Sequence, residues 1–265
     1  MEEKIIYYSD ELNDEFSGII RKDPEIGKDF KFIHKNIIWN FFAVLLYRLI
    51  VFPIDIIYMK LKFHHKTIGK EKLKGLKGKY FIYGNHTQAP GDGFVGPKCI
   101  FPRKPYTVVS PANLAVKGTQ TFMMMVGALP IPNDIHALRK FQEAVEYYYN
   151  KKHPIIIYPE AHIWPYYTKI RNFKSVSFRY PVKLNAPVFA FTNVYQKRKF
   201  SKKPKMITYI DGPFYPNEDL PNKDRVEALR NDVYNIMVER AMKYSTYEYK
   251  YHYVKKEEEN ECKKN

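Results

Sequence analysis

Short apolar runs alternate with longer amphipathic segments from residue 79 onward, and this alternation limits the possible folds more than any other feature. The short runs are rich in Ile, Val, Phe and Tyr, which favour strands, whereas the longer segments repeat apolar residues at helical spacing. Strands that alternate with helices form βαβ units, and these build a mainly parallel sheet covered on both faces. We therefore predict an α/β protein, an αβα sandwich with a mainly parallel central sheet. The predicted strands are residues 80–83, 106–109, 129–131, 155–158, 188–194 and 206–210, and the predicted helices are residues 112–126, 134–151 and 223–247.

The longest apolar stretch covers residues 37–59, which is close to the length of a membrane-spanning helix. Arg48 near its centre, together with Pro53 and Asp55, offsets much of the favourable insertion free energy of its apolar residues. Arg48, Asp55 and Lys62 are seven residues apart, which predicts a polar stripe along one side, and Pro53 predicts a kink. We predict an N-terminal membrane-associated helix or helix pair. The alternative is an amphipathic helix that packs on its own domain, and the sequence leaves open whether the segment spans or only enters the bilayer.

Basic residues are concentrated in two places in a chain whose formal net charge is +16. Residues 60–79, which follow the apolar stretch, contain eight lysines. Lysines beside an apolar segment bind anionic lipid surfaces, so an anionic membrane surface on the cytoplasmic face is a predicted partner. A second cluster, residues 197–205, contains six basic residues and is either a dock for an acidic ligand or partner or a solvated loop.

Several other classes of protein are disfavoured. Only two cysteines are present, Cys99 and Cys262, which excludes a disulfide framework and a sulfur-rich metal site and favours a reducing compartment. The histidines show no metal-binding spacing, so we predict no metal. The charge also suits a nucleic-acid binder, but no helix-turn-helix, RRM or zinc-finger motif is found, so nucleic acid is not expected as a partner.

Two loops that follow predicted strands carry residues able to do chemistry. In open α/β sheets ligands bind at the carboxyl ends of strands. His86 follows the first strand and is a natural general base, and Asp92 is close enough along the chain to hold its second ring nitrogen. Glu160 and His162 follow the strand at residues 155–158. No serine or cysteine nucleophile motif is present. The pair of His86 and Asp92 therefore predicts a reaction in which a hydroxyl of the substrate attacks directly.

Four blocks occur in order: Asn85-His86 with Asp92, then residues 126–131, then residues 157–160, then residues 186–189. They resemble the blocks of the glycerolipid acyltransferases related to 1-acylglycerol-3-phosphate acyltransferase, and the resemblance covers about residues 66–211. It implies an αβα acyltransferase domain after an N-terminal membrane helix motif. It also implies that His86 activates an acceptor hydroxyl, that Asp92 is its partner and that Glu160 binds the acceptor. The implied donor is an acyl thioester of coenzyme A (acyl-CoA) or of acyl carrier protein, as a co-substrate, with no resident cofactor.

The sequence departs from the family pattern at three points. Five residues separate His86 from Asp92, where the family has four, and Asn133 and Ile163 stand where the family has arginines that bind the acceptor phosphate. Neither side chain offers the bidentate fork of arginine. Either Lys169 or Arg171 supplies the missing cation, or the acceptor lacks a terminal phosphate. The remaining predicted substrate-binding residues are Asn85, Thr87, Glu160 and His162.

The predicted function is a membrane-associated O-acyltransferase that acts on a lysophospholipid such as 1-acylglycerol-3-phosphate, with His86 as general base. The alternatives are acylation of an acceptor without a phosphate, such as a glycolipid, or a non-enzymatic basic module that binds membrane or nucleic acid. The predicted organisation is a polar leader and membrane-associated helical segment over residues 1–65, the acyltransferase domain over residues 66–250 and a charged tail over residues 251–265.

Overall fold

A seven-stranded sheet forms the centre of the protein in the computed structural model, which describes residues 4–18, 22–89, 91–116 and 118–255. The strands are β1 (Ile5–Tyr8), β2 (Lys66–Ile68), β3 (Phe81–Gly84), β4 (Tyr106–Val109), β5 (Ala128–Pro130), β6 (Ile155–Ile157), β7 (Val188–Arg198), β8 (Ser201–Phe214) and β9 (Lys250–Tyr253). The α-helices are α1 (Ile37–Leu46), α2 (Phe52–Phe63), α3 (Asp92–Ile100), α4 (Gln120–Val126), α5 (Leu138–Asn150), α6 (Arg179–Lys183) and α7 (Asn222–Tyr244). Short 3-10 helices cover Lys70–Leu73, Pro111–Leu114, Ile135–Ala137 and Val176–Phe178, and a π-helix covers Tyr47–Val51.

The strand order in the central sheet is β2-β8-β7-β3-β6-β4-β5. The five strands from β7 to β5 are mutually parallel, whereas β8 is antiparallel to β7 because the two form a hairpin. β2 is parallel to β8 and therefore also runs against the other five strands. The mainly parallel sheet predicted from the sequence is confirmed.

Different helices cover the two faces of this sheet. Phe81 and Tyr83 of β3 belong to a buried cluster with side chains of α5 and α7, whereas Ile82 belongs to a second cluster with side chains of α2 and α3. Successive residues of a strand point to opposite faces, so each face of the sheet has its own hydrophobic layer. The αβα sandwich is confirmed, and the C-terminal half of the apolar helical segment is part of it.

The apolar segment is one continuous helical rod from Ile37 to Phe63, in which the π-helix joins α1 to α2. Asn36 caps its start by accepting hydrogen bonds from the backbone N–H groups of Ile38 and Trp39, and the rod ends at His64 in a left-handed conformation. It is long and apolar enough to cross a membrane, by length and composition only. Its buried residues are Ala43, Tyr47, Asp55, Met59 and Phe63, and its exposed large apolar residues are Ile37, Ile38, Phe41, Phe42, Val44, Leu45, Leu49, Ile50, Ile54, Ile56, Ile57 and Leu61.

The predicted polar stripe on this rod is wrong. Asp55 is fully buried against the domain, while Arg48 is exposed. Arg48 lies within the π-helix, whereas Asp55 lies in α2, after the π-helix has ended. A π-turn contains more residues than an α-turn, so two residues seven apart no longer lie on one face of the helix. Pro53 lies directly after the π-helix, so the backbone donor that proline lacks falls where the helical hydrogen-bond pattern changes.

Some predicted boundaries also need correction. The predicted helix over residues 112–126 is split into a 3-10 helix and α4, because Gly118 has a φ of 85° that no continuing α-helix allows. The predicted strands at residues 188–194 and 206–210 are the inner parts of the longer hairpin strands β7 and β8.

The described part of the polar leader, residues 4–18 and 22–35, packs against the rest of the protein. β1 pairs in parallel with β9 in a separate two-stranded sheet, and Ile26 and Phe32 are buried in the main core. The tail that we expected from residue 251 onward therefore begins inside a strand, because the Tyr-rich segment at residues 250–253 finds a partner at the other end of the chain. Residues 256–265 of the predicted tail lie outside the described residues.

Candidate active site

The loops after β3 and β6 meet at the carboxyl edge of the sheet. The two strands are adjacent and parallel, with Tyr83 opposite Ile157. The backbone N–H of His86 donates to Oε2 of Glu160 at 2.9 Å, and the backbone oxygen of His86 accepts from the N–H of Trp164 at 3.1 Å. The two loops carrying the predicted chemistry are therefore joined at His86.

His86 and Asp92 are in direct contact. Nδ1 of His86 lies 2.8 Å from Oδ2 of Asp92, and their side chains are 19% and 2% exposed. A buried carboxylate at this distance favours the tautomer in which Nδ1 carries the proton. The lone pair of the other ring nitrogen, Nε2, is then available to accept a proton from a bound molecule.

Asp92 organises the loop between the two residues. Its Oδ2 also accepts hydrogen bonds from the backbone N–H groups of Thr87 at 2.7 Å and Gln88 at 2.8 Å. Asp92 is the first residue of α3, where a carboxylate is favoured by the helix dipole. The extra residue between His86 and Asp92 therefore does not prevent their contact, although Pro90 in that loop lies outside the described residues.

Tyr158 fixes the plane of the imidazole, which the sequence motifs do not predict. Its ring stacks on that of His86 with centroids 4.6 Å apart, and its hydroxyl donates to the backbone oxygen of Asp92 at 2.5 Å. The only signal in the sequence was its position between β6 and Glu160. Tyr158 thus contacts both members of the pair.

The buried residue Arg171 binds the carboxylate of Glu160. Its Oε1 accepts from the backbone N–H of Arg171 at 3.0 Å, and the Arg171 guanidinium lies 3.6 Å from Oε2. Burial raises the pKa of the Glu160 carboxyl, although Arg171 and the two N–H donors favour its ionised form. Both oxygens of Glu160 therefore bind protein groups, so this carboxylate positions the backbone of His86.

Arg171 occupies a different place from that expected of a phosphate ligand. It is 1% exposed, its guanidinium donates to the backbone oxygens of Glu11, Glu160 and His162, and it lies 4.9 Å from the ring centroid of Trp164. A guanidinium with these partners is not free to form a fork with a ligand phosphate. The position of Arg171 suits a residue that holds Glu160 in place.

Asn85 and Thr87 point towards β7. Asn85 exchanges two hydrogen bonds with the backbone of Asn193, at 3.0 and 2.8 Å, and is fully buried. The Thr87 hydroxyl lies 2.7 Å from that of Tyr195. These predicted substrate-binding residues anchor the ends of the His86 loop to the neighbouring strand.

His162 and Lys169 lie nearer the surface. Nδ1 of His162 is 3.4 Å from Oε2 of Glu15, which also accepts from the backbone N–H of Ile163 at 3.1 Å. Burial alone would raise the pKa of Glu15, but these contacts and that with Ser17 lower it to about 2. Lys169 is exposed. Glu15 of the leader is therefore bound to residues that closely follow the third sequence block, residues 157–160.

The leader also binds Asn133, an exposed residue that stands in the place of the other family arginine. Its side chain accepts from the backbone N–H of Ile26 at 2.8 Å and donates to the backbone oxygen of Pro24 at 3.0 Å.

Within the described residues, no group of three or more His, Cys, Asp and Glu side chains is placed to hold a metal ion.

Comparisons with known proteins agree with this architecture. No family model matches the sequence, and no curated protein matches it. Among solved structures, the crystal structure of the 1-acyl-sn-glycerophosphate (LPA) acyltransferase PlsC from Thermotoga maritima is similar, with a TM-score of 0.54 and 16% sequence identity. The match covers 78% of this chain and 89% of that chain. This chain therefore has the fold of the 1-acylglycerol-3-phosphate acyltransferases that its sequence blocks resemble.

Proposed function

We propose that this protein is a membrane-associated O-acyltransferase, which moves a fatty acyl group from a thioester to the hydroxyl of a lysophospholipid such as 1-acylglycerol-3-phosphate. The observation that carries the proposal is the 2.8 Å contact between His86 and Asp92 at the carboxyl edge of the sheet. The acyltransferase fold of the solved relative agrees with it.

In the proposed reaction, Nε2 of His86 takes the proton of the acceptor hydroxyl while the oxygen attacks the thioester carbonyl carbon. Asp92 stabilises the imidazolium that forms. The tetrahedral intermediate then collapses, the carbon–sulfur bond breaks, and the thiolate takes the proton back from His86. The products are the ester and the free thiol, and no covalent enzyme intermediate is needed.

The donor is proposed to be acyl-CoA or acyl carrier protein thioester, used as a co-substrate without a resident cofactor. Both are acidic, which suits a chain with 44 basic and 28 acidic residues. We place the enzyme on the cytoplasmic face of a membrane, because lysines follow the exposed apolar helix and anionic lipids attract such segments.

A second candidate acceptor, one without a terminal phosphate, is favoured by a specific observation. Arg171 is buried against Glu160, and Asn133 is bound to the leader, so neither replaces an arginine that grips phosphate. The exposed Lys169 is the remaining predicted cation. The two acceptors differ in whether turnover depends on this lysine.

The test is acyl transfer by the detergent-solubilised full chain from labelled palmitoyl-CoA, and in parallel from palmitoyl-acyl carrier protein. The acceptors are lysophosphatidate, lysophosphatidylglycerol and a neutral glycolipid. His86→Ala should lower the rate by about 100-fold to 10,000-fold, whereas His136→Ala, which changes an exposed histidine, should not. Equal rates for the two variants would reject the mechanism.

The Lys169→Ala variant separates the two acceptors. A raised KM for lysophosphatidate, with no change for the glycolipid, supports a phosphate acceptor held by Lys169. Product from the glycolipid alone supports the acceptor without phosphate. No His86-dependent product from any donor and acceptor pair would contradict the proposed function.

A further inference from the structure

The β7–β8 hairpin projects beyond the edge of the sheet that carries His86. Phe191 of β7 lies opposite Gly84, the last residue of β3, so residues 192–198 continue past the end of that neighbour. At the usual rise of a strand this extension is about 20 Å long. The first part, including Tyr195, is covered by the His86 loop, and the end, residues 197–205, we call the hairpin tip.

The tip combines one exposed aromatic ring with charges that are all positive. Phe200 at its turn is 91% exposed. No acidic residue occurs between residues 196 and 206. The basic residues of the tip are Lys197, Arg198, Lys199, Lys202, Lys203 and Lys205.

The turn is held in shape by its own hydrogen bonds. Arg198 donates from Nε to the backbone oxygen of Lys203 at 2.7 Å and from Nη2 to the hydroxyl of Ser201 at 2.6 Å. The backbone N–H of Lys203 also donates to that hydroxyl, at 3.2 Å. Because the turn is already ordered, little further ordering is needed to present Phe200 to a partner.

We propose that the hairpin tip is a second membrane anchor, which inserts Phe200 into the interfacial layer of an anionic leaflet while its lysines contact lipid phosphates. An aromatic ring with flanking cations is the composition of interfacial membrane segments. A specific protein partner needs about 800 Å² of contact surface on each side, which a single convex turn does not offer. This favours a lipid surface over an acidic carrier protein.

The tip lies at the same end of the sheet as the end of the apolar helix. β2 begins two residues after His64 and pairs Lys66 with Ile207, two residues from Lys205. Lys66 therefore lies on the tip side of the sheet, beside the end of the apolar helix, whereas Lys72 lies towards the other end of β8, where it pairs with Asp211. The inference concerns attachment alone and stands apart from the proposed chemistry.

The experiment places a fluorescent probe at the tip of the full chain reconstituted in vesicles. Phe200→Cys is labelled with an environment-sensitive dye in a Cys262→Ser background, where Cys99 is buried and unreactive. The matched control is Tyr215→Cys, since Tyr215 is 56% exposed at the opposite end of β8. Vesicles are phosphatidylcholine with and without phosphatidylglycerol, and a nitroxide-bearing lipid is the quencher.

We expect lipid quenching at position 200 in vesicles that contain phosphatidylglycerol, and little at position 215. Each lysine near an anionic surface changes partitioning by about fivefold, so changing Lys197, Lys199, Lys202 and Lys203 together to Gln should abolish the quenching. No quenching at position 200, or equal quenching at both positions, would overturn the proposal. A probe that ignores vesicles but responds to added acyl carrier protein would also overturn it, in favour of a protein dock.

Discussion

Replacing Asp92 by asparagine removes one negative charge from the candidate active site and little else. Oδ2 of Asp92 accepts three hydrogen bonds, from Nδ1 of His86 and the backbone N–H groups of Thr87 and Gln88. An amide oxygen in the same position accepts the same three bonds. Oδ1 has no partner among the described residues, so the amide NH₂ can stand there without displacing a bond.

The size of the effect follows from the geometry. During the proposed reaction His86 becomes an imidazolium 2.8 Å from the carboxylate oxygen. With charge centres about 4 Å apart and an effective dielectric constant of about 20, the lost attraction is about 4 kcal/mol. Because each 1.36 kcal/mol is tenfold in rate, kcat should fall by about a thousandfold. Folding loses only the charge-assisted part of three bonds, about 1–3 kcal/mol.

The assay compares initial rates of acyl transfer for the parent chain, Asp92→Asn and His86→Ala, with whichever donor and acceptor support turnover. Thermal unfolding of each variant shows whether the fold persists. An Asp92→Asn rate within tenfold of the parent, in a folded protein, would refute the argument that this carboxylate stabilises a charge formed on His86.

Three further predictions concern stability and its pH dependence. Arg171→Ala should lower the free energy of unfolding, measured by urea denaturation, by about 3–5 kcal/mol, because it leaves the buried Glu160 carboxylate without its charged partner. Lys169→Ala should change this free energy little, since Lys169 is exposed. Equal losses for the two variants would contradict the burial assigned to Arg171. Burial lowers the pKa of His65 to about 3, so stability present above pH 6.5 should fall by up to about 5 kcal/mol as the pH drops towards 3. His65→Gln should flatten that slope, and an unchanged slope would contradict the assignment. Gly84→Ala should lower the free energy of unfolding by about 1–3 kcal/mol, because the new Cβ overlaps the ring of Phe191 in β7. Gly93→Ala, which has open space at its Cβ, should leave the free energy of unfolding unchanged. Calorimetry that finds both variants as stable as the parent would contradict the close approach of Gly84 to Phe191.

The centre of the sheet was predictable because its strands are buried on both faces. Strands of this kind are short continuous apolar runs, as at residues 80–83 and 155–158, and they need little context to be recognised. The two small edge strands β1 and β2 were not predicted. Each is three or four residues long among charged neighbours, and each is stabilised by a partner far away in the sequence.

α3 was missed for a different reason. It contains Gly93, Gly96 and Pro97, all poor helix formers. Gly96 is needed because a Cβ there would stand 2.6 Å from the side chain of Ile156. Tertiary packing against the sheet therefore decides the helix, and local propensity gives no sign of it.

In the candidate site, loop spacing and the family blocks are enough to predict that His86, Asp92 and Glu160 lie together. The spacing could not show that Arg171 turns inward, since two basic residues of one segment look alike in sequence. Its direction is decided by the buried Glu160 carboxylate and by Trp164. The function of each of these residues remains a prediction for the assays above.

The pairing of β1 with β9 has a consequence for the order of events during synthesis. Trp164, beside the candidate site, stacks on Tyr251 and contacts Tyr8, so its surroundings include both ends of the described chain. The apolar helix leaves the ribosome long before residues 250–253 are made. A nascent chain can therefore reach a membrane while Trp164 still lacks its partner from β9, and the support behind the candidate site is completed only after β9 is made.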